Sequence, residues 1–469
     1  MNSVWQQFTL SNLRLYQWRS ASYLYRVVGL LQSWRSGSLL LQWSEPIGAL
    51  LVALVFALAP FTSNALVGVL LVACGAFWLL LTLSDDLVSS SELSRRITPI
   101  HLIVLLYWGI YTVATALSPV KVEAAKGLGK LTLYLVFFAL MSMVLRSPRL
   151  RAWIIGVFLH ISLIVSVYGI RQYLFGVEEL ATWTDPTSES ANVTRVFSYL
   201  GNPNLLAGYL LPAVALSLAA IFAWQRWLPK ALAVTMFLLN SGCLILTYSR
   251  GGWIGFVICL LLFLVMLVFW YSLQLPPRWR IWAMPSLLGI CVAAMALGVI
   301  FVPPLRHRVA SMFAGREDSS NNFRINVWYA VLDMIRDRPI IGIGPGNNAF
   351  NKIYPLFQRP RFTALSAYSI FLEVAVETGL IGFSCFLWLL IVTFNLGVQQ
   401  LKRLRDSFNP QGFWLMAAIS AIAGMLGHGL VDTVWYRPEV STLWWLMVAL
   451  IASYYFPPQV NMLMGDGER

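Results

Sequence analysis

An all-α, polytopic integral membrane protein of about twelve transmembrane helices is the fold class this sequence predicts, with one long helical loop between the ninth and tenth spans. Three observations carry that expectation. Of 469 residues, 58% are hydrophobic and 11% charged, with mean hydropathy +0.70, which excludes an ordinary soluble enzyme, a disordered chain and a collagen-like repeat. The apolar residues gather into runs of about 20, the length a helix needs to cross the hydrocarbon. The 20 Trp, 18 Tyr and 27 Phe suit aromatic belts at headgroup level.

Residues 1–45 read as a cytosolic interfacial arm. Arg14, Arg19, Arg26 and Arg35 interrupt any apolar core, so no removable leader is expected. Trp5, Phe8, Leu13, Tyr16, Trp18, Tyr23 and Val27 recur at loose helical spacing. Spans are expected near 46–61, 65–83, 99–117, 127–145, 152–174, 204–223, 230–248, 251–270, 282–302, 370–396, 412–431 and 441–456. The chain thus divides into the arm, spans one to nine (46–302), a long loop (303–369), spans ten to twelve (370–456) and a cytosolic tail (457–469).

Lys and Arg in short loops favour the cytosolic side. With a cytosolic N-terminus, the inner loops carry twelve (Arg95, Arg96, Arg146, Arg149, Arg151, Arg226, Lys230, Arg278, Arg280, Lys402, Arg403, Arg405) and the outer loops six (Lys121, Lys126, Arg171, Arg195, Arg250, Arg437). Both termini are therefore expected inside, in a plasma or thylakoid membrane, and 303–369 outside. The net charge of +13 follows these clusters and forms no nucleic-acid-binding domain. The five cysteines fall inside apolar runs without disulfide or metal spacing, and are expected to be inert packing residues.

Charge placed where a membrane makes it costly marks candidate chemistry. In TYSRGGWIGF, Arg250 stands between spans seven and eight beside Gly251 and Gly252; its guanidinium suits two-pronged binding of phosphate, carboxylate or bicarbonate, and equally a snorkelling helix anchor. The long loop concentrates Arg306, Arg308, Arg316, Arg324, Arg336, Arg338, Lys352, Arg359 and Arg361 against Glu317, Asp318, Asp333 and Asp337. Within it, NNFRINVWYAVLDMIRDRP predicts an amphipathic helix with Ile325, Trp328, Val331, Leu332 and Ile335 on one face. IIGIGPGNNAF follows as a glycine-rich turn.

Ahead of span six, Arg195, Asn202 and Asn204 fit either a polar cavity or a helix cap. Asn-Val-Thr at 192–194 matches a glycosylation acceptor. Span ten opens with Tyr368, Glu373 and Glu377; the two acids share a helix face, and the arginines of the loop end are their expected partners. His428 and Asp432 share a face in span eleven, with Arg437 and Glu439 beyond, a pattern that fits a proton shuttle, part of a metal site or a hydrogen-bonded histidine. No Walker or dinucleotide motif occurs, and GLGKLT at 127–132 lacks the Walker spacing, so no cofactor or resident metal is expected. Uphill transport would need an ion gradient or another membrane subunit.

TYSRGGW, REDSSNNFRINVW, RPIIGIGPGNNAFN, FTALSAYS with LEVAVETG, and GHGLVDTVWYRPE together resemble the IctB family of cyanobacterial inorganic-carbon (bicarbonate) transporters, a branch of the O-antigen ligase and polymerase superfamily. The resemblance runs from the arm through span twelve. It implies an O-antigen ligase-like fold and either bicarbonate accumulation through an arginine-lined outer cavity or metal-independent glycosyl transfer from a polyprenyl diphosphate-linked glycan. A non-catalytic membrane assembly factor is a third class. By the same resemblance, Arg250 matches the Ser-Arg-Gly arginine and Arg324 the loop arginine of the ligases. The ligases' loop histidine, however, is replaced by Tyr368, with Ser369 after it. Membrane lipids and bicarbonate or a lipid-linked glycan are the implied partners.

Overall fold

The computed structural model describes residues 2–11, 31–35, 37–84, 97–178, 194–301 and 303–456. Most of the arm, Arg95, Arg96, the start of the Asn-Val-Thr triplet and the tail 457–469 lie outside the described residues. The described chain is all-helical, without strands. Its helices are α1 (Asn2–Phe8), α2 (Gln32–Arg35), α3 (Leu39–Gln42), α4 (Ser44–Leu58), α5 (Asn64–Leu83), α6 (Pro99–Ala116), α7 (Lys121–Val144), α8 (Pro148–Phe175), α9 (Pro203–Ala223), α10 (Trp227–Leu246), α11 (Arg250–Tyr271), α12 (Pro277–Phe301), α13 (Pro303–Phe313), α14 (Ser319–Asp337), α15 (Asn347–Ile353), α16 (Ile370–Asp406), α17 (Gly412–Gly429) and α18 (Pro438–Ser453).

Ten of these helices, α5 to α12, α16 and α17, are long and apolar enough to cross a membrane, and the shorter apolar α4 and α18 occupy the first and twelfth expected positions. The protein is a polytopic membrane protein. Helices α9, α17 and α18 are buried almost all round, as an evenly apolar helix must be at the centre of a bundle. Close approach of α11 and α17 depends on glycine: a Cβ on Gly255 would lie 2.4 Å from the Gly424 carbonyl oxygen, the small-residue packing that brings membrane helices together. The cysteines are free, four of them buried.

Hydrogen bonds gather the connectors at two ends. At one, the Ser118 hydroxyl donates to the Ile343 carbonyl at 2.6 Å, Arg195 Nε to the Thr247 carbonyl at 3.1 Å, and Arg324 Nε to the Val431 carbonyl at 2.8 Å. This is the loop end, where 303–369 sits. At the other, Arg151 bonds the Leu145 carbonyl and Gln411 and lies over the Tyr454 ring. Near that end α1 docks on α16, with Trp5 donating to Asn395 and Trp388 to the Phe8 carbonyl; these residues pack on the bundle as well as matching an interfacial pattern.

The loop is a folded module with an apolar core of its own, including Val327, Val331, Met334, Phe350, Tyr354 and Val376. The expected inner face of the amphipathic helix needs correction. Val327, Ala330, Val331 and Met334 are the buried residues of α14, while Leu332 is 39% exposed and Ile325, Trp328 and Ile335 are half-buried. The buried set is a regular i, i+3, i+4, i+7 stripe, so Val331 was placed correctly and the helix is turned about it.

The glycine-rich turn locks the loop onto a broken span. Gly379 (φ 65°, ψ −167°) interrupts α16, which frees the Val376 and Glu377 carbonyls to accept the Ile343 and Gly344 amides, each at 2.9 Å. The turn enters the gap through positive-φ glycines, Gly342, Gly344 and Gly346. On its other side it presses on α7, where a Cβ on Gly127 would lie 2.1 Å from the Pro345 carbonyl oxygen.

Candidate functional site

Two chemically different regions meet at the loop end, and the α17–α18 connector, residues 430–437, walls both. On one side is an arginine cluster. Arg250, at the first turn of α11, donates from Nη1 to Asp318 Oδ1 and Asn321 Oδ1, both at 2.8 Å, and from Nη2 to Asp318 Oδ2 at 2.5 Å. Asp318 also caps α14 by accepting from the Asn321 amide at 2.9 Å. The anion that grips Arg250 in this structure is therefore a carboxylate of the chain itself, which sequence spacing could not reveal.

Arg324, in the second turn of α14, bridges to the connector. Its Nη1 donates to the Ser320 hydroxyl, its Nε to the Val431 carbonyl, and its Nη2 lies 4.0 Å from Asp432 Oδ2. Tyr368 sits beside this pair in a left-handed backbone conformation (φ 49°), and its carbonyl accepts from Trp328 Nε1 at 3.4 Å. Burial pushes the Tyr368 phenol up to about 12, and the Asp432 charge adds to the rise while Arg324 opposes it. A phenol held there is a hydrogen-bond donor and not a base at neutral pH. Replacing Tyr368 with Phe should accordingly change any turnover less than tenfold, and a pH profile of the wild type should show no Tyr368 inflection below about pH 11; loss of several orders of magnitude on substitution would assign the phenol proton-transfer work.

In their hydrogen bonds, the other candidates lie apart from these two arginines. Asn202 caps α9, accepting from the Asn204 and Leu205 amides at 2.8 and 3.3 Å, and Arg195 Nη2 donates to Asn204 at 3.2 Å; this trio holds a helix start. Arg437 pairs with Glu439 at 3.1 Å. His428 is fully buried against Gly208 and Gly251, and neither ring nitrogen has a hydrogen-bond partner among the described residues. Among them no group of three His, Cys, Asp or Glu is placed to hold a metal.

On the other side of the connector lies a cleft of about 1000 Å³, counting the part open to the exterior. Its walls are Tyr107 and Tyr111 of α6, Lys130 and Tyr134 of α7, the Gly346–Asn348 corner of the glycine turn, Glu373 and Glu377 of α16, Thr433, Trp435 and Tyr436 of the connector, and Trp444 and Trp445 of α18. Glu373 and Glu377 share one face as expected, but their partners differ from expectation: no arginine among the described residues pairs with them. Glu373 Oε2 accepts from the Ala367 amide and Glu377 Oε1 from the Gly346 amide, both at 2.6 Å. Tyr111 donates to Glu377 Oε2 at 3.4 Å and shares a 2.7 Å hydrogen bond with Tyr107. Backbone N–H groups do what guanidinium groups were expected to do: Gly346 of the turn reaches Glu377 because the helix break admits the turn, and Ala367, just ahead of α16, reaches Glu373.

Sequence reasoning found the cleft's carboxylates and missed its aromatic wall, its lysine and the Asp318 clamp. Lys130 alone carried a usable signal, as a cation nine residues inside an apolar helix. Trp435, packed at a tilt on Trp444 with ring centroids 4.0 Å apart, and the phenols are indistinguishable in sequence from interfacial aromatics.

No curated protein matches the chain. Residues 231–387 match the family model described as O-antigen ligase, a third of the chain that runs from α10 to the middle of α16 and so includes Arg250, Asp318, Arg324, Tyr368, Glu373 and Glu377 but none of the connector; over that stretch the protein is similar to O-antigen ligases.

Proposed function

We propose that this protein binds a polyprenyl diphosphate-linked glycan at the outer membrane face, with the diphosphate toward Arg324 and Arg250 and the sugar in the aromatic cleft. The observation that supports it most is the juxtaposition across one connector: Asp432 faces the arginine side while Thr433, Trp435 and Tyr436 line the cleft. Indoles and phenols stack on sugar rings and carboxylates accept sugar hydroxyls, whereas guanidinium groups hold phosphate. Glycosyl transfer is the reaction such a ligand would undergo: the acceptor hydroxyl bonds the anomeric carbon, polyprenyl diphosphate leaves, and Glu373 or Glu377, in the cleft, is placed to accept the hydroxyl's proton.

Bicarbonate uptake is the competing reading, and Tyr368 favours it, because a ligase is deprived there of its loop histidine. Moving that anion inward opposes an inside-negative potential by about 2.3 kcal/mol per 100 mV, so a coupled ion or a second subunit would be required. Proteoliposomes separate the readings. Saturable binding of a polyprenyl diphosphate-sugar, with labelled bicarbonate uptake no greater than in empty liposomes under a sodium gradient, is expected. Gradient-driven bicarbonate uptake without glycan binding would replace the first reading by the second.

Both readings require 303–369 outside. Cysteines introduced at the exposed positions Arg336 and Arg359 should label with a membrane-impermeant maleimide from the non-cytosolic face, and one at Arg403 should not. The reverse pattern would invert the topology and remove both.

A further inference from the structure

We propose that the cleft selects a saccharide bearing an acidic group, a carboxylate or a phosphate, and that the Lys130 ammonium recognises that group. The proposal rests on the glycan reading and names the substrate class it left open. Gly127, Lys130, Leu131 and Tyr134 all line the cleft at i, i+3, i+4 and i+7, one face of α7. Gly127 admits the Pro345–Gly346 corner against the helix, and Lys130, a turn further in, projects from that face. It stands roughly 14 Å along the helix from Lys121.

Lys130 is exposed and lines the cleft, which leaves its ammonium open to an incoming anion. Lys126 is paired with Glu123; Lys130 forms no ion pair among the described residues, although Glu373 and Glu377 line the same cleft. Those acids are held by backbone amides on the opposite wall. Thr433, 4% exposed, and Trp435 line the same cleft, and neither the hydroxyl of the first nor the indole N–H of the second has a hydrogen-bond partner among the described residues. The polar lining is uneven: the hydroxyl and indole N–H as donors and the carboxylates as acceptors suit sugar hydroxyls, and one ammonium suits one anionic substituent.

The test uses the full-length protein in detergent and calorimetric titration with three probes: a glucuronate-terminated disaccharide, the neutral disaccharide of the same linkage, and a hexose phosphate. Wild type is expected to bind at least one acidic probe about tenfold or more tightly than the neutral one, and the stronger acidic arm identifies the group. Lys130→Met, which keeps the apolar stem, should lower the acidic probe to the neutral affinity, whereas Lys130→Arg should keep most of the preference; thermal midpoints within a few degrees of wild type establish that both variants fold. Equal wild-type affinities, an unchanged preference in Lys130→Met, or displacement of the acidic probe alone by phosphatidylglycerol would overturn the proposal, the last by assigning the lysine to a lipid headgroup. If a polyprenyl diphosphate-sugar binds but no acidic preference exists, this inference alone falls; if no saccharide or lipid-linked saccharide binds at all, the glycan reading falls with it.

Discussion

Gly379→Ala should be the most damaging single-methyl change in the protein, lowering its thermal midpoint sharply and abolishing ligand binding in the cleft. Gly379 holds φ 65° and ψ −167° inside α16, a region essentially closed to residues with a Cβ, at a cost of about 1–3 kcal/mol. The added methyl would also lie 2.3 Å from the Ile340 carbonyl carbon and oxygen, and backbone on both sides cannot yield as a side-chain tip would, adding about 1–3 kcal/mol of overpacking. The functional loss follows from the same contacts. If α16 straightens, the Val376 and Glu377 carbonyls return to helical bonding, the Ile343 and Gly344 amides lose their acceptors, and Gly346 is no longer brought to Glu377. Gly109→Ala in α6 is the control, since a Cβ there meets nothing within 4 Å and exchanging Gly for Ala in a helix interior favours the helix by up to about 1 kcal/mol. Equal thermal midpoints for the two variants would refute the wedge between turn and broken span.

The span pattern was legible because its cause is local. A run of apolar residues dictates a membrane helix whatever it packs against, and the expected 65–83, 99–117 and 412–431 fall close to Asn64–Leu83, Pro99–Ala116 and Gly412–Gly429. The break at Gly379 was not legible: LEVAVETGLIGF reads as unbroken helix, and the interruption exists because a turn some 35 residues earlier in the chain supplies replacement donors. The site divides in the same way. Arg250, Arg324, Glu373 and Glu377 could be singled out as charges in costly places, but their partners could not. Asp318 looked like one of four scattered loop acids and is the clamp on Arg250; the glutamates looked destined for arginine and receive backbone amides. Partner identity is a tertiary property, and proximity across 68 residues for Arg250 and Asp318 leaves no periodic trace.

Asp318→Asn should lower stability while tightening diphosphate binding, and the opposing signs are what make the Arg250 clamp testable. The pair is sheltered, with side-chain exposures of 9% for Arg250 and 18% for Asp318, so it is not a solvated surface bridge. Breaking such a pair leaves a charge without its partner, at about 2–5 kcal/mol. Asparagine is the informative replacement because it keeps the cap on α14, where Asp318 accepts the Asn321 amide, and Asn and Asp cap helices about equally well. The loss of the cap is thereby kept out of the measurement. Arg250→Met should cost a similar amount, and the double variant little more than either, a coupling of about 2 kcal/mol or more in a double-mutant cycle. Affinity for a polyprenyl diphosphate-sugar moves the other way if Arg250 is a ligand kept occupied by Asp318: freeing the two-pronged donor should tighten binding roughly tenfold, about 1.4 kcal/mol, and Arg250→Met should remove that gain in the double variant. An affinity unchanged by Asp318→Asn, alongside the stability loss, would make Arg250 a strut between α11 and α14 and leave Arg324 to hold the diphosphate.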